Sequence, residues 1–190
     1  MRETKNILLC GVGGQGAILT SKLLTEGLLR AGYDVKMSEV HGMAQRGGSV
    51  STQVRYGDKV YSALLGKGQA DIGVAFERME AVRYVDLMKP DGTFIVNDYR
   101  LTPMSVAVGA ASYPENALEA ISKVFNTIVI PAADIASDVG NVRTMNVVLL
   151  GALVKELGLT DVDWEDVIAK TVPEKLLAVN LEAFRAGLEA

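Results

Sequence analysis

The sequence predicts one doubly wound α/β domain over residues 1–190, with a mostly parallel sheet, a β-hairpin insertion and C-terminal helices. Three observations carry that prediction. Short apolar runs bounded by polar residues or glycine alternate with segments of helical periodicity. A glycine-rich turn joins the first such run to the first helix. One stretch breaks the alternation with period-two patterning, and the C-terminal third is dominated by helical segments.

The elements follow in order. "KNILLC", residues 5–10, reads as a buried parallel strand. From Gly16 onward Ile18, Leu19, Leu23, Leu24 and Leu28 recur at helical spacing, and Ala31-Gly32 stops that helix. "YDVKMSEV", residues 33–40, completes a strand–helix–strand unit. In residues 41–66 a glycine-containing loop leads into a strand over 49–56, where Val50, Thr52, Val54 and Tyr56 share a face. Gly57-Asp58 then reads as a hairpin turn into a second short strand over 60–63. This hairpin is treated as a functional insertion.

The alternation resumes with "ADIGVAFE" (strand), "RMEAVRYVDLM" (helix), Pro90-Asp91-Gly92 (turn) and "TFIVND" (strand). Residues 99–113 are less regular. "PENALEAISKVF" is a helix with Pro114 at its start. "TIVIPA" is a strand, and "ADIASDVGN" is a short helix ending at Gly140. "VRTMNVVLLGALVKEL" is a long apolar helix whose Gly151 implies close packing on a neighbour. The tail from Trp164 is helical, and Pro173 starts its second piece.

Composition removes several function classes. Hydrophobic residues make up 49% of the chain and the mean hydropathy is +0.22, which argues against disorder. A net charge of −4 without a basic stripe points to no nucleic acid and no anionic membrane as partner. No apolar run approaches the roughly 18 residues of a membrane span. "MRETKNILLC" lacks signal-peptide organisation, so a cytoplasmic protein is expected. Cys10 is the only cysteine, which makes it a small buried residue near a strand end rather than a cluster ligand.

Chemistry concentrates in two loops. "LLCGVGGQGAIL" places Gly11, Gly13 and Gly16 in a G-x-G-x-x-G pattern, with Gly14 and Gln15 between them. Such a turn lets backbone N–H groups approach an anion, and the helix N-terminus adds a partial positive charge of about 0.5. Glu39 stands 23 residues beyond Gly16, near where a dinucleotide fold holds the ribose, so a free-standing NAD(P)-binding oxidoreductase is one reading. The neutral amide of Gln15 and the polar loop after strand 2 count against it. That loop holds His41, Gln45, Arg46, Gly47, Gly48 and Ser49. His41 is the sole histidine, so no His-based metal set forms. It and Arg46 are the weak candidates for catalysis, as acid–base and as a bidentate clamp on a carboxylate or phosphate. Asn141, Arg143, Asn146 and Asn180 suit capping, packing or an interface. A third reading makes both glycine loops packing devices of a structural interaction module.

"GVGGQGAILTSKLL" followed by "SEVHGMAQRGGSVSTQVRYG" resembles the gamma module of the 2-oxoacid:ferredoxin oxidoreductases, in particular the small subunit of the indolepyruvate type. The likeness continues through "ADIGVAFERMEAVRYVDLMKPDGTFIVND" and "IPAADIASDVGNVRTMNVVLLGAL" into "VNLEAFRAG", essentially the whole chain. The resemblance implies a Rossmann-like fold and a hetero-oligomer with a large catalytic alpha subunit, reaching ferredoxin through the assembled complex. It implies that this chain holds no cofactor alone. Thiamine diphosphate, magnesium and [4Fe–4S] clusters belong to the partner, and coenzyme A is a co-substrate. Gly11, Gly13, Gly14, Gln15, Gly16 and residues 42–49 are carried over as motif matches, expected to face coenzyme A, the substrate channel or the catalytic subunit.

Overall fold

The computed structural model describes residues 3–42 and 47–190, and its centre is one six-stranded sheet. In chain order the elements are β1 (Lys5–Val12), α1 (Ala17–Arg30), β2 (Asp34–His41), β3 (Ser49–Gly57), β4 (Ala70–Ala75), α2 (Arg78–Arg83) and β5 (Met88–Asn97). They continue with α3 (Met104–Ala107), α4 (Ala117–Ser122), β6 (Asn126–Ile130), α5 (Ala132–Asp138), α6 (Met145–Leu157), α7 (Trp164–Thr171) and α8 (Glu174–Glu189). The strand order is β2-β3-β1-β4-β5-β6. Strands β1, β4, β5 and β6 run parallel, and β3 pairs antiparallel with both β1 and β2. The doubly wound, mostly parallel α/β fold is therefore present with its antiparallel insertion.

The central strands are buried on both faces, which is why β1 reads as a continuous apolar run. Ile7 and Leu9 enter a core built with α1, α6, α7 and α8, while Leu8 and Cys10 enter a smaller one with Ala81 of α2 and Ile121 of α4. The helical layer behind the first core is tight, as Gly151 foretold. A Cβ on Gly151 would stand 2.3 Å from the Phe184 carbonyl oxygen, and one on Gly187 2.0 Å from that of Val148. Only glycine at both positions lets α6 and α8 approach so closely.

Three expectations need correction. Residues 60–63 form no strand; β3 makes its hairpin with β2, through the loop that precedes it. The segment after β3 is instead held by polar groups: Asp34 Oδ2 accepts the Val60 N–H at 2.9 Å, and Arg55 Nη1 donates to the Ser62 carbonyl at 3.2 Å. Pro90-Asp91-Gly92 lies inside β5 rather than before it. There the register steps from Ala70↔Met88 to Ile72↔Thr93, so β5 carries an outward bulge. Finally, α4 begins at Ala117, three residues beyond Pro114.

Candidate functional site

Strand β1 leads through α1 to the left of the sheet, and β4 leads through α2 to the right. Their carboxyl ends are adjacent, so the crevice between them is the topological switch point where open α/β sheets place ligands. The first glycine loop closes β1 there.

That loop is locked to the second. The Gly13 N–H donates to the Gly48 carbonyl at 2.8 Å, and the Gly47 N–H donates to the Gly13 carbonyl at 3.1 Å. These bonds continue the β1–β3 ladder past Val12↔Ser49, so Gly13, Gly47 and Gly48 form one rigid ledge. Gln15 faces inward and is buried. Its Oε1 accepts the Val12 N–H at 2.7 Å and its Nε2 donates to the Phe76 carbonyl at 3.1 Å, bridging β1 to the end of β4. Gly11 makes room for this bridge, since a Cβ there would lie 2.8 Å from Phe76 Cβ and 2.9 Å from Gln15 Oε1. The amide that suggested ligand contact is thus occupied within the scaffold.

What remains open is Gly14 and the start of α1. Gly14 is exposed, with φ 105°, and Gly16 has φ 87°. Helix α1 has no side-chain cap and no acidic residue in its first turn. Its first backbone bond runs from the Thr20 N–H to the Gly16 carbonyl, leaving the earlier N–H groups without an intrahelical acceptor. Two clefts flank this terminus. One of about 300 Å³ lies between it and Val50; the other, about 510 Å³, is walled by Leu19, Tyr99, Met145 and Asn146 with Arg143 at its rim. Asn146 packs against Gly16, and Thr20 Oγ1 donates to the Asn146 carbonyl at 3.1 Å, fixing α6 to α1.

The second loop is anchored from behind. Ser49 Oγ donates to the buried Glu80 carboxylate and lies 3.2 Å from the Tyr84 hydroxyl. Arg83 Nε donates to the other Glu80 oxygen at 3.0 Å. Cys10 is wholly buried with Sγ 3.7 Å from the Glu80 carbonyl, and burial, reinforced by Glu80 and Glu77, pushes its thiol well above the ordinary range. His41 ends β2 and is exposed. Gln45 and Arg46 lie outside the described residues. Asn141 accepts the Arg143 N–H at 3.1 Å, and Asn180 donates to the Leu176 carbonyl at 2.7 Å; both are local structural roles.

Sequence reasoning missed two buried groups beside the crevice. Asn97 donates to the Phe76 carbonyl at 3.1 Å and accepts the Ala132 N–H at 3.0 Å. Glu77 caps α2 through the Met79 and Glu80 N–H groups, accepts the Leu101 N–H at 3.2 Å, and takes the Tyr113 hydroxyl. Burial first, then this carboxylate, keep the Tyr113 hydroxyl protonated well beyond the usual tyrosine range. The available signal was a polar residue ending each of two apolar strands, in "VAFE" and "FIVN".

Residues 6–190 match the family model for pyruvate ferredoxin/flavodoxin oxidoreductase. The chain is 42% identical to the indolepyruvate oxidoreductase subunit IorB of Pyrococcus horikoshii, over 97% of its own length and 95% of the relative's. It resembles the solved gamma subunit of a keto/oxoacid ferredoxin oxidoreductase from Geobacter sulfurreducens, at 27% identity and a TM-score of 0.71, covering 97% and 96% of the two chains. The same fold, at 24% identity and a TM-score of 0.78, occupies 31% of a longer chain in 2-oxoglutarate:ferredoxin oxidoreductase from Magnetococcus marinus.

Proposed function

The chain belongs to the pyruvate ferredoxin/flavodoxin oxidoreductase family, and from that premise we propose that it works as the small subunit of an indolepyruvate-type 2-oxoacid:ferredoxin oxidoreductase. In this reading a large alpha subunit binds aryl pyruvates, thiamine diphosphate, magnesium and [4Fe–4S] clusters. Thiamine diphosphate supplies the electron sink for decarboxylation there. Electrons leave to ferredoxin, the acyl group leaves on coenzyme A, and the assembly works in the cytoplasm. No helix among the described residues is long and apolar enough to cross a membrane. The residues of this chain do not suit a cluster, which needs several thiolates where Cys10 is alone and buried.

The contribution of this chain is a rigid anion-binding ledge. The observation that carries it is the uncapped start of α1 opening between two clefts, with Gly13 and Gln15 already held by the scaffold. The free N–H groups of Gly14 and of Gly16 to Ile18 would face a phosphate of coenzyme A, and Arg143 at the rim would add a cation. Leu19, Tyr99 and Met145 would take a less polar portion.

The nicotinamide reading loses its acidic anchor. Strand β3 separates β2 from β1, so Glu39 sits two strand spacings, roughly 10 Å, from the strand that carries the glycine loop. A dinucleotide fold needs those strands adjacent.

Co-expression with the cluster-bearing subunit tests the proposal. The isolated chain should give no aryl-pyruvate-dependent ferredoxin reduction, and the complex should. In the complex, Arg143→Glu should raise the KM for coenzyme A about tenfold, equivalent to roughly 1.4 kcal/mol, with kcat nearly unchanged. Ferredoxin reduction by the isolated chain, or an unmoved KM in the variant, overturns it.

A further inference from the structure

Residues 101–112, "LTPMSVAVGAAS", carry no charged side chain in a chain where charged residues make up 22%. Ten of these twelve residues are exposed and none is buried, so the segment stands out from the body of the fold. Met104 and Val108, 76% and 68% exposed, are the most exposed large non-aromatic apolar side chains among the described residues. Leu101, Ala107, Ala110 and Ala111 are exposed as well. Apolar surface gathered in this way marks a place of interaction. We propose, on the small-subunit reading above, that this segment is the finger by which the chain docks on the large catalytic subunit. Met104 and Val108 enter an uncharged apolar groove there.

The finger is built to hold its shape. The Leu101 N–H donates to Glu77 Oε1 at 3.2 Å and the Tyr113 hydroxyl donates to the same oxygen, so both ends close on one buried carboxylate. Arg100 pairs with Glu115 at 2.7 Å and lies 4.3 Å from the centroid of the Tyr113 ring, which closes the base a second time. Above the base, the Pro103 carbonyl accepts the Val106 and Ala107 N–H groups at 3.0 and 2.9 Å. The Ser105 carbonyl accepts those of Ala110 and Ala111 at 2.8 and 3.1 Å. A closed loop of this kind loses little conformational freedom on docking. Neither Met104 nor Val108 joins either hydrophobic core, so packing within the chain does not account for their apolar character.

Position and chemistry choose the occupant. The finger leaves the carboxyl end of β5 two residues after Tyr99, a wall of the 510 Å³ cleft, so a body that covers it also borders the glycine-loop site. In the Magnetococcus protein the same fold is 31% of a longer chain, joined to a larger body by the polypeptide itself. Permanent contacts are the apolar ones, poor in charge and enriched in methionine at their centre. A lipid surface fits less well, because the finger has neither the lysines and arginines nor the aromatic side chains that hold a segment at a membrane interface. A second copy of this chain would need the projecting finger to be complementary to itself.

Co-purification of the two-chain complex through a tag on the large subunit is the test. Met104→Glu combined with Val108→Glu should weaken assembly at least about a hundredfold, with a matching loss of aryl-pyruvate-dependent ferredoxin reduction. The isolated double variant should keep its thermal midpoint within about 2 °C, since both side chains lie outside the core. Met104→Leu with Val108→Ile should assemble as the parent does, and so should Val124→Glu, a similarly exposed apolar position outside the finger. Unchanged affinity of the glutamate variant, or an equal loss with Val124→Glu, overturns the docking surface while leaving the small-subunit reading in place. A parent chain that does not assemble with the large subunit overturns that reading and the docking surface with it. Flotation of the isolated chain with phosphatidylglycerol vesicles, abolished in the glutamate variant while its complex still forms, reassigns the finger to lipid. Self-association in sedimentation that behaves the same way reassigns it to a second copy.

Discussion

The two ends of the sheet are built from opposite materials. At the carboxyl end the surface is made of backbone: Gly13, Gly47 and Gly48 pair through main-chain bonds, and Gln15 and Asn97 hold the Phe76 carbonyl between them. At the amino end it is made of charged side chains, with Asp34, Asp71, Lys89 and Arg55 tying strand starts to neighbouring segments. A backbone site fixes geometry and leaves N–H groups as its chemistry. A side-chain site fixes charge and leaves geometry adjustable. The first makes a surface fixed in shape; the second makes one fixed in sign.

If the carboxyl end depends on backbone shape, a methyl group there should cost more than a lost side-chain contact. Gly16→Ala puts a β-carbon on a residue at φ 87°, 2.8 Å from the Asn146 amide. The left-handed penalty plus overpacking predicts a loss of about 3 kcal/mol, read from denaturant midpoints. An unchanged midpoint would show that the loop relaxes and is no rigid ledge.

Gln15→Ala ranks next. It leaves the Val12 N–H without its acceptor, while the Phe76 carbonyl keeps Asn97, so one buried donor is orphaned. A loss of about 2 kcal/mol is expected by the same measurement. Should Gln15→Ala be neutral in stability yet weaken coenzyme A binding, the side chain would be a ligand contact after all.

The smallest effect belongs to the amino end. The Val60 N–H, then Lys36, lower the Asp34 carboxyl to about 2. A depressed carboxylate stabilises the fold above its unfolded value near 3.9, and that contribution fades as pH falls toward 2. Asp34→Asn should therefore be less stable than the parent at pH 6, and the gap should close by about pH 2. A gap independent of pH would assign the effect to packing.

Legibility followed range along the chain. Strand β1, the glycine turn and α6 were readable because apolar period and turn chemistry are local, and the close approach at Gly151 followed from one glycine in an apolar helix. The position of β3 between β1 and β2 was not readable. Alternation in Val50, Thr52 and Val54 specifies a strand but not its neighbours. Residues 60–63 have strand-like composition, yet Asp34 and Arg55 claim their backbone groups. Gln15 was read as facing outward because Phe76, the carbonyl that turns it inward, lies 61 residues away. The anchor of Ser49 on Glu80 was hidden for the same reason, 31 residues downstream.

The placement of β1 also bears on how the protein is made. Of the six strands of the sheet, the first in chain order is a central one, and its lateral partners are residues 49–57 and 70–75. Until residues 49–57 have emerged, this apolar segment waits with both hydrogen-bonding edges open, and one edge stays open until residues 70–75 follow, a state prone to pairing with other chains. Synthesis, rather than the finished fold, is where this protein is most exposed to misassembly, and slowing translation between β1 and β4 should lower the soluble yield.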